Sequence, residues 1–213
     1  DLHPIARRYA YQRLADRMAV HVQLIVYFEA VPQLPEINSL ADLEPTIELY
    51  HHLTRAEQYD EACILYSDRL AKPLYFQLGA YQQVIELLRA LFHDGKDKPP
   101  RLSHDNAQAW TLGLLANSYG LSGQPRTAVP FYQQQITIYE KREDKNNMAV
   151  ALDSIAAVAQ VPIGALAVAA DNLRHGISLC QEIEDRYQEA IGHQEYGRLL
   201  AYYGDWTESA VEL

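Results

Sequence analysis

Apolar side chains recur every three or four positions through most of the chain, and short stretches rich in Gly, Pro, Asn or Asp interrupt this pattern. That spacing places the apolar residues on one face of a helix. From Asn106 to Leu213 the pattern itself repeats. A helical stretch, a Gly, a second helical stretch and a polar turn occur twice in full and begin a third time. The pattern therefore predicts consecutive helical hairpins.

A Gly between the two helices of each hairpin sets the period. Each is followed five positions later by a small residue, in the pairs Gly123 and Ala128, Gly164 and Ala169, and Gly204 and Ser209. Successive glycines lie 41 and 40 residues apart. A helical repeat with a period of about 34–45 residues indicates a solenoid. The sequence thus predicts an all-α fold, a right-handed α-α superhelix of antiparallel helical hairpins.

The N-terminal part is predicted to be helical but less regular. Residues 1–38 predict one long helix from Pro4 to about Ala30, which Pro32 and Pro35 end. Residues 39–104 predict degenerate copies of the hairpin, followed by a charged, Pro-ended loop at 93–103. The expected elements of this second region are a helix Leu40–Leu53 capped by Asn38-Ser39, a helix Tyr59–Leu70 closed by Pro73, one or two helical turns at Leu74–Leu78, and a helix that starts at Gly79.

Residues 105–213 form the regular repeats, of which the third is truncated. In the first repeat, Pro125 suits the first turn of the second helix. The turn out of that repeat is predicted at Asp144–Asn147. In the second repeat, Gln160-Val161-Pro162 falls where the first helix should end, so we expect that helix to be distorted there.

Charge and composition exclude several classes of function. A net charge of −10 argues against a general nucleic-acid-binding protein, which needs a basic face. No apolar run approaches the ~20 residues of a membrane span. The start lacks the pattern of a signal peptide, so we expect a cytoplasmic location. Cys63 and Cys180 lie in amphipathic patterns and are expected to be reduced core thiols. The sequence does not start with Met, which suggests that it is a piece of a longer protein.

Residues able to carry chemistry are scattered rather than grouped. The neighbours His51 and His52 point about 100° apart on a helix, and His175 has Asp171 four positions away but no third ligand. Ser122 lacks the context of a nucleophile. We therefore expect no catalytic residue, no metal and no cofactor, and interpret the chain as a protein that is not an enzyme.

The regular region resembles tetratricopeptide repeats. The family motif places a large apolar residue, a small one, an aromatic, a turn Gly, a small residue and an aromatic at fixed offsets. The first repeat meets all six with Leu115, Ala116, Tyr119, Gly123, Ala128 and Tyr132. The second departs from the motif, since Gln160 stands where Tyr is usual and Leu173 replaces the second aromatic. The resemblance implies that Tyr119, Tyr132, Tyr139 and Tyr196 belong to the core.

The long period and the phrase at 136–141, Ile-Thr-Ile-Tyr-Glu-Lys, are similar to repeats fused to prokaryotic signal-transduction ATPases of the STAND type. In such proteins a nucleotide-binding module and a winged-helix segment precede the repeats, and residues 3–9 resemble the end of that winged-helix segment. The chain contains no Gly-x-x-x-x-Gly-Lys-[Ser/Thr] sequence, so any ATPase activity belongs to a part outside it. The resemblance implies a sensor or scaffold coupled to neighbouring domains of the same polypeptide. The alternative is a free-standing adaptor that assembles protein complexes.

The resemblance also implies a concave groove lined by the first helix of each hairpin. A protein or peptide is the expected partner there, with no nucleic acid and no membrane. Chaperone-type tetratricopeptide domains hold a C-terminal carboxylate with Lys, Asn and Arg, and here only Asn117 and Arg198, two repeats apart, fall on such positions. A carboxylate clamp is therefore one alternative, and a set of solvated helix faces is another. The candidate partner-binding residues on the groove positions are Asn117, Ser154, Gln194, Arg198 and Tyr202.

Overall fold

The computed structural model describes residues 9, 11, 13, 16–92 and 98–213. These residues form helices and connecting turns without a β-strand, and Phe92 and Pro100 form an isolated bridge. The predicted all-α class is therefore confirmed. The chain divides into two compact units, Asp1–Ala80 and Tyr81–Leu213, which are described separately below. The predicted boundaries at residues 38/39 and 104/105 stay predictions.

Among its described residues, the first unit contains three α-helices: α1 (Arg17–Glu29), α2 (Glu44–Arg55) and α3 (Tyr59–Leu65). Asp16 caps α1 by accepting a hydrogen bond from the backbone N–H of Ala19. Most of the predicted long helix before this cap lies outside the described residues. Helix α1 ends before Pro32, as predicted, and packs against α2.

The start of the second helical stretch confirms the predicted cap at Asn38-Ser39. A short 3-10 turn, Leu40–Leu43, leads into α2. Asp42 Oδ2 accepts backbone N–H groups of Asn38 at 2.9 Å and Ser39 at 2.8 Å. These hydrogen bonds favour the carboxylate and lower the pKa of Asp42.

Pro73 does not end the helix after Tyr59, and that prediction was wrong. The chain continues from α3 through two π-helical segments, Tyr66–Leu70 and Lys72–Gln77, and Pro73 is buried in the second. A proline ring clashes with the carbonyl four residues earlier and donates no hydrogen bond. Widened π turns accommodate this, with the N–H of Leu78 bonded to the carbonyl of Pro73 at 2.9 Å. The short helix predicted at Leu74–Leu78 belongs to this continuous stretch.

The second unit contains seven α-helices among its described residues. They are α4 (Tyr81–Arg89), α5 (Asp105–Leu121), α6 (Pro125–Lys141), α7 (Lys145–Ser154), α8 (Leu166–Glu182), α9 (Arg186–Tyr203) and α10 (Trp206–Glu212). A π-helical segment, Ile155–Gln160, continues α7, so the predicted distortion of this helix is confirmed. Each helix from α4 to α10 packs against the next. Residues 98–104 are not helical, in line with the predicted loop, while 93–97 lie outside the description.

The three hairpins are α5–α6, α7–α8 and α9–α10, and their turns share one geometry. Gly123, Gly164 and Gly204 have φ of 80°, 77° and 84°, a conformation that suits Gly because it has no Cβ. The turns between hairpins instead use Glu143 (φ 55°) and Glu184 (φ 59°). The hairpin turns are thus at the predicted positions.

The turn out of the first hairpin is shorter than predicted. Asp144 accepts the N–H of Asn147 and caps α7, so residues 145–147 already belong to that helix. Asp185 and Asp205 cap α9 and α10 in the same manner. A short polar side chain before a helix stabilises its first turn by satisfying a free N–H group.

The core of the second unit follows the predicted apolar faces. Tyr132 and Tyr139 of α6 are buried, as predicted, and Ala128 and Phe131 of the same helix are buried as well. The Tyr119 ring is half-buried and stacks on Phe131, with centroids 5.6 Å apart. In the second hairpin, Ala169, Leu173, Ile177 and Leu179 of α8 are buried. Among the described residues, no helix has the length and apolar character needed to cross a membrane.

Candidate functional site

An open cleft of about 640 Å³ lies between the second and third hairpins. One wall comes from the end of the π-helical segment and the turn after it, with Val161 and Pro162. The other comes from α9, with Arg198 and Tyr202. Arg198 and Tyr202 are two of the groove residues predicted from the sequence, and both line this cleft.

The floor of the cleft is apolar. Leu173 of α8 and Leu199 of α9 are each 1% exposed and belong to one buried cluster with three alanines. Val161 and Leu166 pack on that cluster and are only partly buried. Val161, Gly164 and Leu166 all line the cleft. A visiting apolar side chain would therefore meet the accessible apolar atoms of Val161 and Leu166.

Arg198 supplies a positive charge at the rim. Its Nη1 donates to both carboxylate oxygens of Glu195, at 2.8 and 3.1 Å. The Arg198 side chain is 57% exposed, whereas Glu195 is 20% exposed. A pair so open to solvent contributes at most about 1 kcal/mol, so a partner carboxylate can compete for the guanidinium. Tyr202, 66% exposed, offers a ring and a hydroxyl beside it.

The other three candidate residues do not line this cleft. Asn117 Oδ1 accepts a hydrogen bond from the Tyr132 hydroxyl at 2.6 Å, which joins α5 to α6. Ser154 is half-buried at the junction between α7 and the π-helical segment. Gln194 is exposed on α9 and lies beside Val211 and Leu213 at the C-terminal end. The cleft thus combines Arg198 and Tyr202 but not the full predicted set.

The second unit also contains a buried carboxyl group that was not among the residues predicted from the sequence. Asp153 of α7 is 5% exposed. Its Oδ2 accepts from Nε2 of Gln188 at 2.7 Å, and its Oδ1 has no hydrogen-bond partner among the described residues. Burial, with Glu195 as a further negative charge, raises the pKa of Asp153 from 3.8 to about 6, although the Gln188 bond opposes the shift.

A glycine on the neighbouring α8 makes room for this carboxyl group, because a Cβ at Gly176 would lie 2.8 Å from Asp153 Oδ1. A Cβ at Gly192 of α9 would lie 2.7 Å from Cγ1 of Ile177 and 3.7 Å from Asp153 Oδ2, so Gly192 makes room for Ile177 beside the carboxyl group. An Asp on the apolar face of α7, together with glycines inside two helices, was the available sequence signal. It indicates close packing around a polar group.

In the described part of the chain, no group of three or more His, Cys, Asp or Glu side chains is placed to hold a metal ion. Cys63 and Cys180 are buried and unbridged. Burial raises the pKa of the Cys180 thiol to about 11, with Asp153 and other nearby carboxylates adding to the effect. A thiol in this state is a poor nucleophile.

A larger cleft, about 750 Å³, lies in the first unit beneath the segment 31–38. Its lining mixes the acidic Asp42 and Asp68 with the basic Arg69 and Lys72. No candidate residue lies there, and the alternating charges favour no class of ligand. We therefore take the smaller cleft of the second unit as the candidate site.

No family model and no curated protein matches the chain. Among solved structures, it is similar to a chain described as "Crystal structure of BtubC (BKLC) from P. vanneervenii". The two are 14% identical, with 92% of this chain and 68% of that chain covered, at a TM-score of 0.49. A similarity this low supports no conclusion about fold or function.

Proposed function

We propose that this protein is a non-catalytic binding module of the tetratricopeptide type, and that it holds a protein segment in the cleft between its second and third hairpins. The observation that carries this proposal is the cleft itself, where the partly buried Val161 and Leu166 cover the buried Leu173 and Leu199 and Arg198 charges the rim. The recurring Gly turns at 123, 164 and 204 support the repeat type. A right-handed superhelix of such hairpins is part of the same proposal.

The chemistry of the cleft defines the partner. Its floor accepts one aromatic or branched apolar side chain, and the Arg198 guanidinium, held by an exposed pair, is available to a carboxylate. The partner is therefore an extended segment with an apolar residue next to an acidic one. Tyr202 packs against the backbone or side chain that leaves the cleft.

The cellular role within this proposal is that of a sensor or scaffold region in a larger STAND-type signalling ATPase. The resemblance of residues 3–9 that suggested it falls mostly outside the described residues, and the phrase at 136–141 lies in the last turns of α6. A free-standing adaptor is the alternative. The flanking gene sequence distinguishes them, because a phosphate-binding Gly-x-x-x-x-Gly-Lys-[Ser/Thr] motif upstream supports the ATPase and its absence supports the adaptor.

Binding to the cleft is tested by selecting random peptides on the whole chain and measuring the affinity of the recovered peptides by fluorescence polarisation. We expect an apolar–acidic consensus, and Arg198→Glu should weaken binding about tenfold or more by replacing attraction with repulsion. Arg174→Glu is a matched control. Arg174 also bonds an acid three residues earlier, Asp171, and is 59% exposed, but lies outside the cleft.

Two outcomes would count against the proposal. One is an equal loss of affinity in Arg174→Glu and Arg198→Glu, which would indicate a general charge effect. The other is a consensus without an acidic residue whose binding survives Arg198→Glu and Tyr202→Ala. Either result would place the partner on another surface.

A further inference from the structure

Two histidines from neighbouring helices face each other inside the first unit. His21 of α1 and His52 of α2 are 3% and 7% exposed. Their Nδ1 atoms lie 3.0 Å apart, within hydrogen-bond distance, and their ring centroids are 5.2 Å apart. This bond joins residues 31 positions apart in the sequence and links the two helices directly.

Both rings have further partners. The Tyr11 hydroxyl lies 2.9 Å from Nε2 of His21, and the Phe28 ring stacks on His52 with centroids 5.5 Å apart. Glu48 Oε2 lies 3.9 Å from Nε2 of His52, beyond a direct hydrogen bond but close enough for charge attraction. The pair is thus part of a chain that runs from Tyr11 through two imidazoles toward a carboxylate.

When both rings are neutral, each hydrogen bond of the Tyr11–His21–His52 series can have one donor and one acceptor. Tyr11 donates its O–H to Nε2 of His21, so His21 carries its proton on Nδ1. That Nδ1–H donates to the lone pair on Nδ1 of His52. His52 then carries its proton on Nε2, the nitrogen on the Glu48 side.

One additional proton is compatible with the same geometry. A charged His52 donates from Nδ1 to Nδ1 of His21, whose proton moves to Nε2 and is donated to the Tyr11 oxygen. The negative Glu48 offsets the new charge. A second proton leaves an N–H on both Nδ1 atoms, with no acceptor between them and two positive charges in contact.

We infer that the His21–His52 pair is a proton-operated latch that holds α1 on α2 until both rings are protonated and then releases it. Among the described residues, the charged and titratable groups around the pair are Glu48, His51 and Arg55 of α2, together with Tyr11. The Arg17 guanidinium of α1 lies over the Tyr11 ring, 5.1 Å from its centroid. Arg55 lowers the pKa of both rings, whereas Glu48 raises the pKa of His52 alone. The surroundings therefore resist the second proton more than the first.

The direction of the pH dependence follows from burial. Desolvation is the largest cause that lowers the pKa of both His21 and His52, and Arg55 lowers each further. Both histidines have a lower pKa in the folded chain than the unfolded value of 6.5. Each therefore stabilises the folded state fully above pH 6.5, and this stabilisation is lost as the pH falls through the pKa of the folded state. Acid therefore opens the latch, and neutral pH keeps it closed.

The test is carried out on the whole chain with two measurements. Nitrogen-15 NMR of labelled imidazoles should show that His21 and His52 titrate as a coupled pair, with one proton bound before the other. Hydrogen exchange, corrected for intrinsic rates, should show protection of α1 amides falling about tenfold or more between about pH 7.5 and about pH 5. Amides of α9, in the second unit, should not follow this change.

The variant His21→Phe/His52→Phe replaces the pair with two aromatic rings and should abolish the pH dependence of α1 exchange. His175→Gln, a change of an exposed histidine on α8, should retain it. If the double variant does not fold, the NMR titration of the wild type decides alone. Independent titration of the two rings, or α1 protection that stays constant across the same pH range, would overturn the inference.

Discussion

The two units each bury an ionisable group among apolar helices, but the groups are of opposite type. The first unit buries the neutral His21–His52 pair, and the second buries the carboxyl of Asp153. In both cases desolvation disfavours the charged form. The same physical effect therefore produces opposite pH dependences, since acid charges the histidines and alkali charges the aspartate.

The units also differ in regularity. In the second unit, α5 to α10 repeat one turn geometry, with Gly at the hairpin tips and Glu–Asp between hairpins. In the first unit, α3 continues into two π-helical segments around Pro73. The comparison shows that a helical pattern in the sequence specifies regular hairpins only where turn residues interrupt it at the correct spacing.

The largest effect is expected from a substitution of Asp153, the buried carboxyl group of the second unit. Asp153 has a folded pKa of about 6 against 3.8 when unfolded, so its charge destabilises the second unit above about pH 6, and this cost disappears as the pH falls toward about 4. Asp153→Asn should raise the free energy of unfolding at about pH 8 by about 2–3 kcal/mol. Trp110 and Trp206, both in the second unit, report its unfolding by fluorescence.

The control for this prediction is Asp171→Asn, at an exposed position on the neighbouring α8. It should change stability by less than about 0.5 kcal/mol and leave the pH profile unaltered. An Asp153→Asn variant with the same pH profile as wild type would show that Asp153 titrates as an ordinary exposed carboxyl group.

The second prediction concerns the close contact between successive hairpins. A Cβ at Gly120 of α5 would lie 2.2 Å from Cγ1 and 3.0 Å from the carbonyl oxygen of Val158. Gly120→Ala should therefore destabilise the second unit by about 1–3 kcal/mol. In the first unit, the Cβ added by Gly79→Ala would meet no atom within 4 Å, so only the φ of 59° opposes this substitution. The expected loss of stability is about 1 kcal/mol.

Chemical denaturation of both variants tests this difference, with Trp fluorescence for the second unit and hydrogen exchange of α3 amides for the first. Gly120 has no positive φ, so equal effects would mean that the contact with Val158 costs no more than the backbone conformation at Gly79. A Gly120→Ala variant as stable as wild type would show that the hairpins separate without loss.

The third prediction tests whether Asn117 is structural. Asn117→Ala removes the acceptor of the Tyr132 hydroxyl, a hydrogen bond between the helices of the first hairpin, and should cost about 1–2 kcal/mol. Tyr132→Phe removes the same bond from the other side. If the bond accounts for the effect, the double variant should be less destabilised than the sum of the single ones, as a double-mutant cycle would measure.

The smallest effect is expected from replacing one glutamate with positive φ in each unit. Glu57 in the first unit and Glu143 in the second have φ of 60° and 55°, which is unfavourable for a residue with a Cβ. Glu57→Gly and Glu143→Gly should each stabilise their unit by about 0.5–1 kcal/mol. Glu140→Gly, inside α6, is the contrasting control and should destabilise by about 1 kcal/mol in thermal unfolding.

Much of the helical architecture could be predicted because its signals are local. Gly123 and Pro125 mark the end of one helix and the start of the next, and both act through the backbone of their own neighbourhood. The apolar face of α6, with Ala128 and Phe131, follows from spacing alone. Pro73 shows the limit, because a π-helical turn accommodated a residue that ordinarily ends a helix.

The candidate site could be predicted only in part. Arg198 and Tyr202 lie on one face of α9, and their spacing of four residues showed this. The Asn117–Tyr132 bond depends on how α5 and α6 are rotated about their axes, which no spacing within one helix reveals. The repeated Glu-Asp at 143–144 and 184–185 was a visible signal of the turns between hairpins that the sequence analysis did not use.

Most helices and turns are encoded locally, since helical period, Gly, Pro and capping Asp act over a few residues, with Pro73 as the exception. Which polar side chains are buried, and with what partners, depends on the tertiary structure. His21 meets His52 from 31 residues away, and Asp153 meets Gln188 from 35. Such pairs depend on the rotation and separation of whole helices, which the packing of many side chains sets together.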